Sequence, residues 1–354
     1  MGLRAYLDGS PRSVVILTLF LGLCANAAQA GGEQAASAGK IAAWVVRVNP
    51  TRLVNGAPVF LQVTPPARLK SLTGTWLGHD VVFDPNGRSW FALAGVSLET
   101  KAGSYPLVLK GVDAGGTELS FRRKLVVGRA KYPTVQLTVS KQFTEPNPGQ
   151  LAQIKEDEEI KHKAFSEVSP EREWSGRFSA PVNAPVSDVF GTRRVFNGVT
   201  KSLHQGLDYR VPPQTPIAAV NAGTVILAQA LYFEGNCVVL DHGQGLLSLY
   251  LHLSEIKVKA GERVERGQVI GLSGATGRAT GPHLHIAVRW QGVYLDPAVL
   301  LAMSLPEVHA RPSDATQRID LLSSNGRLEG TRPRLTLTRR TAALGAWGTS
   351  AKGL

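Results

Sequence analysis

Two short histidine motifs carry the chemistry that this sequence is expected to perform. The first runs from His204 to Asp208 (HQGLD) and the second from His283 to His285 (HLH). A catalytic zinc ion is usually held by three imidazole or carboxylate side chains, with a fourth position left open. His204, Asp208 and His285 would supply that set. If the second motif lies in a strand, His283 and His285 point to the same face, so one can bind metal while the other handles protons.

The first motif needs a bend before it can hold a metal ion. In a straight strand, four residues at about 3.3 Å each would separate His204 and Asp208 by about 13 Å, which is too far for one ion. We therefore predict a bulged strand that bends at Gly206. A helix would also bring the two side chains together. However, the internal glycine and the following Pro212-Pro213 make a helix the less favourable prediction.

The region around both motifs, residues 176–305, is predicted to be an all-β domain. Apolar and β-branched runs alternate with turn residues there, and helical spacing is almost absent. The predicted strands are Ile217 to Val220, Gly223 to Gln229, Cys237 to Asp241, Leu246 to His252, Val269 to Leu272 and Leu284 to Trp290.

The front half of the chain is predicted to form a second β-domain and a helix. Short β-type runs separated by Gly, Pro and Asn turns over residues 41–140 predict an immunoglobulin-like β-sandwich. Residues 145–175 follow as a charged linker, in which Gln150 to Ser166 is predicted to be a solvated helix. The fold class is therefore all-β: a sandwich, a linker helix and an antiparallel β-domain with the candidate metal site.

The two ends of the 354-residue chain have their own patterns. Residues 1–30 combine early arginines, a short apolar run and Ala28-Gln29-Ala30, which predicts a secretory signal peptide. The apolar run is too short to cross about 30 Å of hydrocarbon, so no transmembrane anchor is expected after cleavage. Residues 306–354 are predicted to be a basic, mostly disordered tail. The protein is expected in the bacterial cell envelope, either periplasmic or extracellular.

Charge and the remaining histidines narrow the function. A formal net charge of +12 favours an anionic partner, and without an aromatic-interleaved basic motif no specific nucleic-acid binding is expected. His79 and His162 are predicted to lie on the surface and His242 to be structural. Cys237 lies among apolar residues, so a buried, unreactive thiol is expected.

The C-terminal region resembles the lysostaphin/LytM family of zinc endopeptidases, which cut peptidoglycan cross-bridges. The resemblance covers residues 186–300 and rests on several motifs. They are Phe190-Gly191-x-Arg193, His204-x-Gly206-x-Asp208-Tyr209, Thr215-Pro216-Ile217-x-Ala219, Gly223-x-Val225, Asp241-His242-Gly243, Tyr250-Leu251-His252-Leu253 and Gly281-Pro282-His283-Leu284-His285.

This resemblance implies one Zn²⁺ per catalytic domain, bound by His204, Asp208 and His285. It also implies that His283 and His252 act beside the metal-bound water, although which of them takes the proton stays open. Two departures affect substrate choice: Ala287 stands where relatives often have an acidic residue, and residues 195–202 are predicted to form a loop whose length could alter the groove.

The function predicted from these features is an exported zinc metalloendopeptidase that hydrolyses the peptide cross-links of peptidoglycan. The alternative is a non-enzymatic module of the same fold that binds peptidoglycan or activates amidases, and a third class is an envelope scaffold. The bond that is cut, the role of the front domain and the oligomeric state stay open.

Overall fold

The computed structural model describes residues 43–167 and 169–307, all within one compact unit. The predicted signal peptide (1–30) and all but the first two residues of the predicted tail (306–354) lie outside the described residues. Among the described residues, no helix is both long and apolar enough to cross a membrane.

The first nine strands form two sheets. One sheet has the order β1-β3-β7-β6 and the other β2-β9-β8-β4-β5. The strands are β1 Val45–Asn49, β2 Leu53–Val54, β3 Pro58–Thr64, β4 Leu69–Trp76, β5 His79–Val82, β6 Asp84–Asn86, β7 Ser89–Gly95, β8 Gly103–Asp113 and β9 Glu118–Gly128. In β3, Val59, Leu61 and Val63 are fully buried while the residues between them are partly exposed, which is the alternation of a sheet with one core face. The immunoglobulin-like assignment of this region stays a prediction.

The helix α1, Pro148–Ser166, is not the solvated linker that its charges predict. It begins with a capping box between Asn147 and Gln150. Its Ile160, Ala164 and Phe165 pack against a buried apolar cluster of the C-terminal region. A helix rich in charges can still pack through a narrow apolar face. Helix α1 does so, and it covers part of the large C-terminal sheet.

The C-terminal region is built on one large sheet with the order β11-β14-β22-β18-β17-β16-β20, to which β23 adds beside β22. Smaller sheets, β10-β12-β13 and β15-β21-β19, flank it. The strands are β10 Thr134–Leu137, β11 Val186–Asp188, β12 Arg193–Phe196, β13 Thr200–Leu203, β14 Gly206–Tyr209, β15 Pro216–Ala218, β16 Gly223–Leu231, β17 Gly235–Asp241, β18 Leu246–Leu253, β19 Glu255–Ile256, β20 Arg263–Val264, β21 Val269–Leu272, β22 Leu284–Trp290 and β23 Val293–Leu295. A 3-10 turn at Lys141–Phe143 and a short helix, α2 Pro297–Ala302, complete the described elements.

The prediction of an all-β fold is confirmed, with local corrections. Residues 195–202 form most of the β12–β13 hairpin, in which Val195 pairs with Lys201, and not the predicted loop. Strand β7 shows no alternation between its faces, because Trp90 to Gly95 are all buried.

The front sheets and the C-terminal sheet share one continuous hydrophobic core. The ring of Phe91 lies 6.0 Å from that of Trp174, and the ring of His79 lies 5.1 Å from that of Trp290. Arg172 also donates a 2.8 Å hydrogen bond to Asp84 across this boundary. The front region is therefore packed directly against the region that contains both histidine motifs.

Candidate active site

Strand pairing brings Asp208 and His285 together. They are direct partners in the antiparallel pair β14–β22, so their side chains lie on the same face of the large sheet. The Nδ1 atom of His285 is 2.8 Å from Oδ1 of Asp208. Nδ1 of His285 also lies 3.0 Å from His204 Nε2, so it is the ring nitrogen that faces the other two donors and is available for a metal ion. The other ring nitrogen, Nε2, is buried without a hydrogen-bond partner among the described residues.

His204 reaches the same point from outside the strands. It lies between β13 and β14, and its Nε2 is 3.0 Å from both Asp208 Oδ1 and His285 Nδ1. The bend that the metal site requires is therefore at His204 and Gln205. The predicted bend at Gly206 is wrong, because Gly206 already pairs in regular register with Ala287.

Gly206 has a different role, which is to leave room for His285. A Cβ atom at this position would lie 2.4 Å from His285 Nε2 and 2.4 Å from the carbonyl oxygen of Ile286. Both distances are far below van der Waals contact, and a backbone carbonyl of a central strand cannot shift easily. Only glycine lets the imidazole lie flat against the neighbouring strand.

Gly206→Ala is therefore expected to displace the His285 ring, lower zinc affinity at least tenfold and destabilise the fold by about 1–3 kcal/mol. Competition with a chromogenic chelator and thermal unfolding measure the two effects. Gly103→Ala is the matched control, since Gly103 also lies in a strand but its Cβ would meet nothing closer than 3.4 Å. Unchanged zinc affinity in Gly206→Ala would contradict this role.

The donor atoms of His204, Asp208 and His285 fit a metal ion. One nitrogen or oxygen from each residue lies within 4.8 Å of the other two, and all three residues are buried. His204 Nδ1 is 2.8 Å from the carbonyl oxygen of Val189 and must donate to it, so a neutral ring has a lone pair on Nε2. That lone pair faces a carboxylate oxygen, which is repulsive unless a cation lies between them.

The second oxygen of Asp208 is held by Arg194. This guanidinium contacts Asp208 Oδ2 and also donates to Asp188 Oδ2 at 2.6 and 2.8 Å. Burial raises the pKa of the Asp208 carboxyl, but the adjacent imidazoles of His204 and His285 outweigh it and hold that pKa well below its usual range. Asp208 is therefore a carboxylate whose orientation is fixed from outside the cluster.

His283 lies just before β22 and not inside it. It forms a single bridge to Gly274, and its Nδ1 is 2.8 Å from the carbonyl oxygen of Gly281, which can only accept. A neutral His283 therefore carries its proton on Nδ1 and a lone pair on Nε2, which is 4.0 Å from Asp208 Oδ1. His283 Nε2 therefore lies beside the three donor atoms but is not one of them.

His252 joins the cluster through an unusual backbone conformation. Leu251 is the strand partner of His285, so in an unbroken strand the next residue would face the other side of the sheet. A φ of 63° at His252 breaks that alternation and brings its ring centroid to 4.8 Å from that of His283. The backbone N–H of His252 donates to the Glu234 carbonyl at 2.8 Å, which fixes this conformation.

The His252 ring is prepared to stay neutral. Its Nδ1 donates to the carbonyl of Thr276 at 2.8 Å, which leaves the lone pair on Nε2. Burial, followed by the nearby His283 and His285, lowers the pKa of His252 well below its usual range. The structure thus places a second imidazole lone pair next to that of His283.

Four of these side chains, Asp208, His252, His283 and His285, line a groove of about 300 Å³. Sequence reasoning missed five charged residues of its wall: Asp188, Arg194, Arg210, Glu234 and Arg278. No residue spacing marks them, because they come from separate strands and loops. The neighbouring Phe190-Gly191-x-Arg193 motif was the one signal near Arg194.

The other singled-out residues lie apart from the groove. His242 is buried and bonded to Ala222 and Ser248, and burial lowers its pKa to about 4, so it is a neutral core histidine. Burial raises the pKa of the Cys237 thiol well above its usual value, which keeps it protonated. His79 stacks near Trp290, and His162 is exposed on α1.

Comparison with known proteins agrees with this geometry. The model of peptidase family M23 matches residues 202–297. The peptidoglycan DD-endopeptidase ShyA of Vibrio cholerae is 43% identical over 127 residues, which are 34% of this chain and 29% of that protein. The DD-carboxypeptidase/endopeptidase Mpg of Neisseria meningitidis is 39% identical over 35% of this chain and 28% of its own length. The chain thus spans about 30% of the length of these curated relatives.

A solved structure extends the similarity beyond the matched residues. A crystal structure from Pseudomonas aeruginosa described as a peptidase M23 is 33% identical and has a TM-score of 0.54. The similarity covers 71% of this chain and 95% of that one. Since residues 202–297 are a smaller share than 71%, the likeness also includes structure outside the region with the histidine motifs.

Proposed function

Because the chain belongs to peptidase family M23, we propose that it is an exported zinc metalloendopeptidase that hydrolyses peptide cross-links of peptidoglycan. The observation that carries this proposal is the convergence of two sets of side-chain atoms at one groove. Three donor atoms are arranged for a metal ion, and two further imidazole lone pairs, on His252 and His283, lie beside them without being ligands. A module that only binds the wall would need neither of these two histidines.

The proposed division of labour follows from the hydrogen bonds. His204, Asp208 and His285 would hold Zn²⁺, since two histidines and one carboxylate are a common zinc-hydrolase ligand set that leaves a position open. Zinc in such a site supplies a Lewis acid that polarises the scissile carbonyl and acidifies the attacking water. Arg194 keeps Asp208 in place through its second oxygen.

His283 and His252 would handle the proton and the developing negative charge. Each has Nδ1 tied to a backbone carbonyl, so each presents Nε2 as an acceptor when neutral and as a donor after taking up a proton. A proton accepted at one Nε2 can later be delivered to the leaving amine. The groove positions the peptide and limits the access of bulk water.

The substrate and location are part of the same proposal. The names of ShyA and Mpg describe peptidoglycan peptidases, and we extend that substrate class to this chain. The net charge of +12 favours contact with an anionic wall, and the predicted signal peptide would deliver the protein to the envelope.

The test is incubation of the purified full chain with peptidoglycan sacculi, followed by chromatographic analysis of the released muropeptides. We expect new peptide ends with zinc, none after treatment with chelator, and recovery when zinc is restored. No muropeptide change despite stoichiometric bound zinc would overturn the enzyme proposal and favour a binding module.

A further inference from the structure

The guanidinium of Arg278 lines the same groove without belonging to the metal-donor cluster. Its loop, between β21 and β22, interlocks with the turn between β16 and β17. The backbone N–H of Arg278 donates to the Phe233 carbonyl at 2.8 Å, and a Cβ on Gly277 would lie 2.3 Å from the amide nitrogen of Gly235. The base of the side chain is therefore held rigidly.

The guanidinium itself packs against two aromatic rings. Its central carbon lies 4.5 Å from the ring centroid of Phe233 and 4.9 Å from that of Phe196. Packing on aromatic faces stabilises the cation without using its N–H donors. In the described part of the chain, no acceptor takes a hydrogen bond from these donors, and Arg278 lines the groove.

Arg210 also lines the groove but is exposed, whereas the remaining charged side chains of the groove, apart from Arg278, have partners. Arg194 is neutralised by Asp188 and Asp208. Glu234 interacts through Oε1 with Lys161 of α1 at 2.6 Å, and its Oε2 has no hydrogen-bond partner among the described residues. Burial lowers the pKa of Arg278 to about 10, opposed by the charge of Glu234, so the guanidinium is still protonated at neutral pH. A partly buried cation with an unused N–H edge is a recognition group for an anion.

We infer that Arg278 binds a free carboxylate of the substrate and selects cross-link peptides that carry one beside the cleaved bond. This inference rests on the proposed function. A planar guanidinium matches a carboxylate with two parallel hydrogen bonds, which a point charge cannot do. Glycine-only bridges have no such carboxylate, so the residue would favour anionic stem peptides over neutral bridges.

Two synthetic cross-linked peptides test the inference with the zinc-loaded full chain. They are identical except that one has a carboxylate and the other a carboxamide on the residue next to the cleaved bond. We expect wild-type kcat/KM to favour the carboxylate peptide by about 10–100-fold, the usual effect of a charged hydrogen bond. Arg278→Gln should remove this preference, and Arg278→Lys should restore only part of it.

Arg88→Gln is the matched control, because Arg88 is exposed in the front region and lies outside the groove lining. It should keep the full preference. Thermal unfolding of each variant separates loss of recognition from loss of folding, since Arg278 also packs on two rings. Calorimetric binding of the uncross-linked carboxylate and carboxamide peptides gives a second readout that needs no turnover.

The outcomes separate this inference from the proposed function. Cleavage without preference, or an equal loss on both peptides in Arg278→Gln, overturns the carboxylate site and leaves the endopeptidase proposal standing. If neither peptide is cleaved, the endopeptidase proposal fails. The carboxylate site then survives only if Arg278→Gln weakens binding of the carboxylate peptide selectively.

Discussion

Replacement of His285 by alanine is expected to abolish zinc binding and reduce endopeptidase activity to background. His285 supplies one of the three donor atoms of the cluster, and its Nδ1 lies within 3.0 Å of the other two. The alanine leaves His204 and Asp208, which cannot complete a catalytic zinc site alone. Loss of an outer-shell partner already costs about 10–100-fold in metal affinity, so loss of a ligand must cost more.

Metal analysis after dialysis, together with muropeptide release, measures both effects. His162→Ala is the matched control, because His162 is an exposed histidine of α1 that has no contact with the groove lining. It should keep stoichiometric zinc and full activity. Stoichiometric zinc in His285→Ala would show that the ligand set is assigned incorrectly.

The spacing of the second motif predicted that its two histidines point to the same face. His283 and His285 do lie on one side, although only His285 belongs to β22. The strand boundaries Val269–Leu272 and Leu284–Trp290 were predicted to the residue, because apolar runs there are closed by turn residues on both sides. Local pattern was enough for elements of this kind.

The distance between the two motifs could not be predicted in the same way. Asp208 and His285 meet because β14 pairs with β22, across 77 residues of sequence. Nothing local specifies that register. The same applies to the bend, which was assigned to Gly206 from its conformational freedom, whereas the glycine is needed for the space beside His285. Close packing across strands, and not backbone flexibility, fixes that residue.

Charge misled the prediction for α1 for a related reason. The charges of this helix, including Lys161 and Asp157, predict a solvated surface. Instead, Lys161 forms an ion pair with buried Glu234. Asp157 accepts a hydrogen bond from the backbone N–H of Tyr232 at 2.6 Å. Both contacts hold the turn whose Glu234 carbonyl fixes His252. A charged residue is read correctly only when its partner is known, and these partners are more than 70 residues away.

Replacement of His283 by alanine is expected to give the opposite combination: stoichiometric zinc with turnover reduced by about 10²–10⁴-fold, the range for loss of an acid–base group. His283 Nε2 is 4.0 Å from Asp208 Oδ1, whereas the donor atoms of His204 and His285 are within 3.0 Å of it. Its removal therefore leaves all three donors in place. The loss should appear in kcat more than in KM, because the proton is transferred only as the bond breaks.

Zinc content and kcat measured on the same preparation decide between a ligand and a proton-handling role. Loss of zinc in His283→Ala would make it a fourth ligand, and full turnover would exclude it from proton transfer. His252→Ala gives a second comparison, since His252 has the same tautomer and lies 4.8 Å away, ring to ring. If one variant is much slower than the other, that histidine takes the proton first. If the two are equally slow and the double variant is no slower, the two imidazoles act as one unit in a single step.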